Sequence, residues 1–556
     1  MIDRIGRYFA AKGWVHLVLL CGVGIFMLPF LWMIGMSLKT ADEAVNTNIF
    51  PDIPVFRPAS PVVRPAPPAP DAPNGVESKR WTELVKLLSK AGRRLIDTRP
   101  LPPGGDAVDQ NQLRDAATEA LIGKVALPLD NRIWAQDDAA IVAAFNHDAT
   151  PQTLDDALAA QIGRFDILGL NVQSVDNDIK VVCAAADVSK KWRIESGPAE
   201  LLPSASGAYV KYHFDSGSSA PVVLRCDFDF PISVDQLHNV VVAYGGDDSW
   251  HKLDATLDVG DTHWKSSLTT YIARYRPATL TLQPPGFDDT TFQARTWIPL
   301  ETTAGSSDNK PSNAATLRLI LTPSSTLGAI WGKVTRNYQR AFRAVPFWTY
   351  IGNSIVLVTL QLLGALFSST FVAYAFARLK WPGRSIAFGI LLATMMLPGQ
   401  VTMIPGFIIW RTLGWYNTLN PLWIGAWFGN AFFIFLMTQN MKTIPKELEE
   451  AARIDGLNAL QTWWYIMLPM VKPTLAAIAI MVFMGAWNDF MGPLVMLRDQ
   501  SRFPLSLGLF GMSVDQGAEP TVVMAGNMIM TIPVVLIFFL FQRYFIEGVT
   551  VSGMKG

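Results

Sequence analysis

The feature that most constrains this chain is the length of its uninterrupted apolar stretches. A helix needs about 20 apolar residues to cross the hydrocarbon core of a bilayer. Residues 14–36, 348–377, 386–410, 421–441, 474–496 and 521–542 each offer a stretch of that kind. Segments this long and this rich in Leu, Ile and Phe are hard to hide in a soluble core. The expected fold is therefore an α-helical polytopic membrane protein with six transmembrane helices. Arg4, Arg7 and Lys12 precede the first stretch, as in a signal peptide. That stretch runs on through Phe30, Leu31, Trp32 and Met33 without a small-residue cleavage point, which favours an uncleaved span.

Basic residues set the orientation. Arg4, Arg7 and Lys12 come before the first span, and Arg378, Lys380 and Arg384 lie between the second and third. Lys442, Lys446 and Arg453 lie between the fourth and fifth, and Arg543 and Lys555 follow the sixth. All four groups fall on one face, which the positive-inside rule makes cytoplasmic. The expected topology is N-in, C-in. Pro29, Pro398, Pro405, Pro493 and Pro533 fall within the spans. Each frees a backbone carbonyl that protein or water must satisfy, as ordinary packing kinks or as bends around a solute path.

Between the first two spans lies an insertion of roughly 290 residues, enough for one or two domains. The topology puts it outside the cytoplasm. Over the whole chain 50% of residues are hydrophobic and 17% charged, but the charge is concentrated in this insertion and the connectors. The 46 basic and 46 acidic residues cancel, which argues against bulk attraction to nucleic acid. Residues 46–75 are Pro-rich and read as an extended linker. Residues 76–165 read as helical, with helices expected over 78–96, 108–122 and 151–162. In 166–325, short Val-, Thr-, Tyr- and Phe-rich runs alternate with Gly, Asp, Ser and Pro clusters, the pattern of a β-sandwich or jelly roll. Trp192, Trp250, Trp264, Tyr271 and Tyr275 could stack on sugar faces or pack between sheets. Cys183 and Cys226 could form a disulfide if the insertion meets an oxidising compartment, or stay separate buried thiols.

The most specific segment lies between the fourth and fifth spans, IPKELEEAARIDGLNALQTWWYIMLPMVKP at 444–473. It reads as a helix, a break and a second helix. Thr443 is the expected N-cap and Pro445 the expected first-turn residue. Glu447, Glu449 and Glu450 suit the positive end of the helix dipole, and Gly456 suits the stop. A second helix is expected over 458–465.

Glu450-Ala451-Ala452, Gly456 and then Ile466, Leu468 and Pro469 reproduce the EAA…G…I.LP signature of ABC-importer permeases. Further segments resemble the shorter permease subunit of carbohydrate importers of the maltose-transporter type. They are Asn337-Tyr338 through Phe347 with Asn353 and Ser354, Trp487-Asn488-Asp489-Phe490, Gln542 to Phe545, and Gly553 to Gly556. The resemblance covers about 1–55 and 330–556; the large insertion departs from it and is not informed by it.

That resemblance implies a permease core over 326–556 behind a first span within 1–45, with the coupling loop at 443–469. Glu450, Ala451, Ala452, Asp455, Gly456, Leu468 and Pro469 would form the element that fits a cleft on an ATPase subunit. Lys555 and Gly556 would contact the ATPases too. The loop 498–519, with Arg498, Phe503 and Phe510, resembles one that enters the cleft of a solute-binding protein. The implied partners are a second permease subunit, two ATPase copies and an extracytoplasmic solute-binding protein, in a cell membrane. This chain has no GxxxxGK[ST] phosphate loop, so ATP and Mg would be bound by partner subunits and no cofactor by this chain.

For the solute path, polar groups within spans come first: Asn488 and Asp489, then Asn353, Gln361 and Gln400. Each could equally serve in interhelical hydrogen bonds. The six His show no metal-ligand spacing, and Asp247-Asp248 reads as turn chemistry. A membrane-anchored carbohydrate sensor with a β-sandwich ectodomain is the alternative. It would need a signalling output on the inside, where the coupling loop is the only sizeable element.

Overall fold

The computed structural model describes the chain apart from residues 1, 42, 46–47, 55–56, 68–69, 74, 205, 216–219, 274–276, 286–296, 304–313, 515–518 and 551–556. At 2–13, 131, 234, 514 and 543–550 it describes the backbone alone. The chain divides into two compact units: Asp52–Asp289 with Thr296–Val334, and the chain before Asp52 together with that from Thr335 onward.

The first of these, the inserted unit, has a helical part and a β part. Ser78–Asp97 presents Trp81, Leu84, Leu88 and Ile96 to one side. These pack with Leu113, Leu121 and Ile122 of Gln110–Val125, Phe145 of Asp138–Asp148 and Leu158 of Pro151–Ala160. Asp109, Asp137 and Thr150 cap the last three helices with their side chains, satisfying amides the first turn leaves bare. The Asp138–Asp148 helix was not anticipated from the sequence.

The β part is strand-rich as expected, but its strands are not two separate sheets. Among the described residues, 14 strands join one hydrogen-bonded network. A parallel pairing of Pro277–Gln283 with Ile298–Thr302 joins its two halves, whose other pairings are antiparallel. Both halves face a single core, in which Ile167, Val172, Val240 and Val242 meet Leu224, Leu257, Leu317 and Leu319. Strict alternation sorts the faces. In Lys252–Val259, Leu253, Ala255, Leu257 and Val259 point in, while Lys252, Asp254, Thr256 and Asp258 point out. On the outer face Arg318 pairs with Asp258 of the neighbouring strand and with Glu195 two strands away, and Arg225 pairs with Asp227 along its own strand.

One expectation about the insert is corrected, and for two others the structure takes one of the two open alternatives. The Pro-rich segment is not a free tether. Ala59–Ser60 pairs with Gly207–His213, Val62–Val63 pairs with Ile162–Gly163, and Trp81 Nε1 donates to the Pro70 carbonyl at 2.8 Å. Proline's fixed φ suits an edge strand whose carbonyls can still accept. Trp192, Trp250 and Trp264 are buried and Tyr271 half-buried, so they pack the interior rather than offer stacking faces; Tyr275 lies outside the described residues. Cys183 and Cys226 are free, buried thiols, not a disulfide. Burial pushes the Cys226 thiol up to about 12 and raises that of Cys183.

Among the described residues of the other unit, four segments are long and apolar enough to cross a membrane: Trp14–Leu38, Phe347–Ala377, Asn420–Thr443, which is interrupted by non-helical Gly429 and Asn430, and Pro520–Gln542. Of the two remaining expected spans, 386–410 is a bent pair, Arg384–Thr394 and Gly399–Thr412 meeting at 98°, and 474–496 begins with Lys472–Asn488, which meets the connector helix Ala459–Met470 at 81°. The first break falls at Pro398, which is itself extended, and proline disfavours helical conformation in the residue before it. The fifth apolar stretch also stops short, because Asp489 is extended and a new short helix, Met491–Met496, follows it.

The end of the first helix is held by the Asn337-Tyr338 pair. Asn337 Nδ2 donates to the Ser37 and Lys39 carbonyls at 2.9 and 2.7 Å, and the Tyr338 hydroxyl bonds Ser37 Oγ at 2.9 Å. These carbonyls are among the acceptors a helix C-terminus leaves without intrahelical partners.

Candidate functional site

Ala431–Thr443 is capped at its start by the Asn430 side chain and runs through Thr443, whose hydroxyl donates back to the Asn440 carbonyl at 2.8 Å. Thr443 therefore ends this helix and does not cap the next, and Pro445 precedes the next helix instead of lying in its first turn. Ile444 is extended, the conformation forced on a residue before proline. Glu447–Ile454 then starts behind Lys446, whose carbonyl accepts from the Glu449 and Glu450 amides.

Gly456 closes this helix as anticipated. Its φ is +84°. Its amide donates to the Arg453 carbonyl and the Leu457 amide to the Ala452 carbonyl, at 3.1 and 3.0 Å. This is the paired closure of a Schellman motif, which needs a left-handed residue. Asn458 begins the next helix with a reciprocal box to Gln461, both bonds at 2.9 Å. The expected second helix is Ala459–Thr462, continued by a widened turn at Trp463–Met467 and by Leu468–Met470.

The two faces of the segment differ in kind. Glu450, Ala451, Asp455, Gly456 and Pro469 are exposed, Ile466 and Leu468 half-buried, and Ala452 buried. Exposed beside them are Leu448, Ile454, Leu460, Trp464 and Tyr465, with Ile454 86% accessible. An apolar patch rimmed by polar groups marks an interaction surface, for a protein or a membrane. Beneath it Trp463, Met467 and Val471 pack with Tyr374, Met437, Met441 and Ile444. The patch thus stands on the ends of the Phe347–Ala377 and Ala431–Thr443 helices. The arrangement carries no bond-making chemistry; it offers a short, rigidly capped surface relief.

Two residues were not singled out for this site from the sequence. Arg378, just past the end of Phe347–Ala377, donates through Nη2 to the Met441 and Ile444 carbonyls. Its Nε stands 3.9 Å from Glu449 Oε2, and the two side chains are only 4% and 10% exposed. Glu449 Oε1 also accepts from Arg453 at 3.1 Å. In the sequence Arg378 is a charge of the topology rule and Glu449 a helix-dipole acid, 71 positions apart (449 − 378). No local pattern joins them.

The proposed path residues differ in their surroundings. Asn488 is exposed and turns back to the Met484 carbonyl at 2.8 Å. Asp489 Oδ1 accepts from the Gly492 amide, and its carbonyl from Ser506 Oγ. Asn353 Nδ2 donates to the Ser501 and Phe503 carbonyls at 2.9 and 3.1 Å. Gln361 is half-buried and Gln400 exposed. Asn353 and Asp489 thus hold residues 501–506 in place. The described part of the expected loop, 498–514, is folded, with Phe503 buried, Phe510 39% exposed, and the Arg498 amide donating to Asn417 Oδ1 at 2.9 Å. Lys555 and Gly556 lie outside the described residues.

Comparison with known proteins matches residues 363–551 to a family described as binding-protein-dependent transport system inner membrane component. The arabinooligosaccharide transport permease AraQ of Halalkalibacterium halodurans is 37% identical over 38% of this chain and 75% of its own length. The galactooligosaccharide transport permease GanQ of Bacillus subtilis is 32% identical, over 46% of this chain and 90% of its own. The trehalose/maltose transport permease MalG of Thermococcus litoralis is 32% identical, over 40% and 81%. The exposed capped helix pair, with its Glu-Ala-Ala and left-handed Gly, lies inside the matched region. The chain belongs to the inner membrane components of binding-protein-dependent transport systems and resembles the sugar permeases among them.

Proposed function

We propose that this chain is one transmembrane subunit of an ATP-driven importer for sugars or related solutes. It would pair with a second permease and receive solute from an extracytoplasmic binding protein. The observation that carries this reading is the exposed helix pair around Gly456, built on the ends of two apolar helices. Two ATPase copies would bind ATP and Mg, and one of them would seat this pair; as the ATPases close, the pair would be pushed and the helices would change from inward- to outward-facing. The transported class comes from the relatives, whose names specify arabino- and galactooligosaccharides, trehalose and maltose.

The chain would have six spans, the third a bent pair and the fifth carried by Lys472–Asn488, with both termini in the cytoplasm and the insert outside. The distribution of basic residues supports that orientation. Asn488 and Gln400, exposed in this chain, could meet solute where the second permease completes a path. The loop 498–519 could meet the binding protein, and the tail at Lys555 and Gly556 the ATPases.

The test is a pull-down from native membranes with this chain as bait and mass spectrometry of what accompanies it. A second permease and an ATPase arriving together is the expected result. Recovery of the chain with neither would sink the importer reading and turn attention to a membrane-anchored sensor.

A further inference from the structure

Three elements meet at the guanidinium of Arg378. It springs from the end of Phe347–Ala377, and Nη2 holds two carbonyls at the end of Ala431–Thr443. Its Nε faces Glu449 of Glu447–Ile454. A charge this deeply buried is strongly disfavoured without a partner. The planar fork of arginine can serve several acceptors at once, which a lysine ammonium on a flexible stem does less well. The junction is also one hydrogen bond short. Nε is buried and has no hydrogen-bonding oxygen. The 3.9 Å gap to Glu449 exceeds the roughly 2.7–2.9 Å of a charge-assisted bond by about 1 Å.

We infer that Arg378 is a positioning residue that ties the exposed helix pair to the ends of two membrane helices, so that movement of the pair is passed to both. This rests on the reading of the pair as the ATPase-facing element. A push on Glu447–Ile454 towards the membrane helices closes the remaining gap. A pull away separates two buried charges and is resisted. The ion pair transmits both directions of motion, which apolar packing beneath Trp463 does less well because it yields to sliding. Without Arg378 the pair can follow the ATPase while the membrane helices lag behind.

The test uses the complete transporter in vesicles, reading solute imported and ATP hydrolysed in the same preparation. Arg378→Met is expected to assemble with its ATPase and hydrolyse ATP while import per ATP falls at least tenfold. Arg378→Lys should recover part of that ratio, since a charge remains but the fork is lost. Glu449→Gln, close in size and still an acceptor, is read alongside in case Arg378→Met is not recovered from membranes; it should lower the ratio in the same direction. If both Arg378→Met and Glu449→Gln couple import to hydrolysis as the wild type does, the inference is overturned. If the wild-type chain itself binds no ATPase, the functional reading fails instead, and the two failures are distinct.

Discussion

Gly456 has open space where a Cβ would point, so what it supplies is conformation and not room. Gly456→Ala should therefore cost about 1–2 kcal/mol at the helix end, and Gly456→Asn less, because Asn tolerates the left-handed region. Faster amide exchange at Leu457 in the alanine variant would register this; unchanged exchange would mean the closure is held by other contacts. His251 carries a different residue-scale prediction. It is buried, and the Ser324 amide donates to its Nδ1 at 3.2 Å, which fixes that nitrogen as an acceptor. Burial holds the imidazole below its usual 6.5, with the Asp247 carboxylate opposing. An unfolded chain takes up a proton near pH 6.5 that the folded chain refuses. The stability His251 lends is thus full above that pH and lost below it, at up to about 1.4 kcal/mol per pH unit. Amide exchange in Lys252–Val259 should quicken from pH 7 to pH 5 beyond its intrinsic trend, and His251→Gln should flatten that change. Identical profiles would assign the acid sensitivity to another group.

At the scale of elements, close approach decides what glycine does. A Cβ on Gly364 would lie 2.4 Å from Trp427 Cδ1, and Trp427 Nε1 donates to the Leu360 carbonyl at 3.1 Å. Small residues let membrane segments approach in this way. Gly364→Leu should destabilise the membrane unit by about 1–3 kcal/mol, the usual range for overpacking. Gly352→Leu in the same helix, where nothing lies within 4 Å, should be near neutral. Thermal unfolding in detergent separates the two, and equal midpoints would refute the packing argument. Elements were legible in the sequence where a local pattern determines them. The 3.6-residue spacing of Trp81, Leu84 and Leu88 marked one helix, alternation marked Lys252–Val259, and Gly456 marked a helix end. The Asp138–Asp148 helix was missed because its Ala-rich sequence has a weak face. Thr443 was misassigned because an N-cap and a last helical residue look alike until the preceding helix is known to run on. The strands at Ala59–Ser60 and Val62–Val63 were illegible because proline composition says extended without saying paired. Arg378 and Glu449 escaped because a tertiary ion pair leaves no periodic trace.

For the whole molecule, the question is why a membrane helix bundle tolerates an interruption of this size between its first two long helices. Each unit has cores of its own: Leu88 and Phe145, or Leu224 and Leu317, in the insert, and Tyr350 and Phe503, or Met437 and Trp463, in the membrane unit. The chain enters the inserted unit at Asp52 and leaves it at Val334, and Lys333 Nζ donates to the Asp52 carbonyl. Entry and exit are therefore side by side, the geometry in which a domain can be inserted without separating the helices of its host. Replacing residues 60–325 by a short flexible linker retains both Asp52 and Lys333 and should close at modest entropic cost, because loop closure grows only slowly with length. The shortened chain is expected to reach the membrane, assemble with the same ATPase and hydrolyse ATP at the wild-type rate. Import at saturating solute should persist, and import at low solute should fall if the insert aids capture or docking. Loss of the shortened chain from membranes would show the opposite, that the insert is part of what folds the bundle. Full import at every solute concentration would leave the insert no part in capture and direct the search to partners outside the transport cycle.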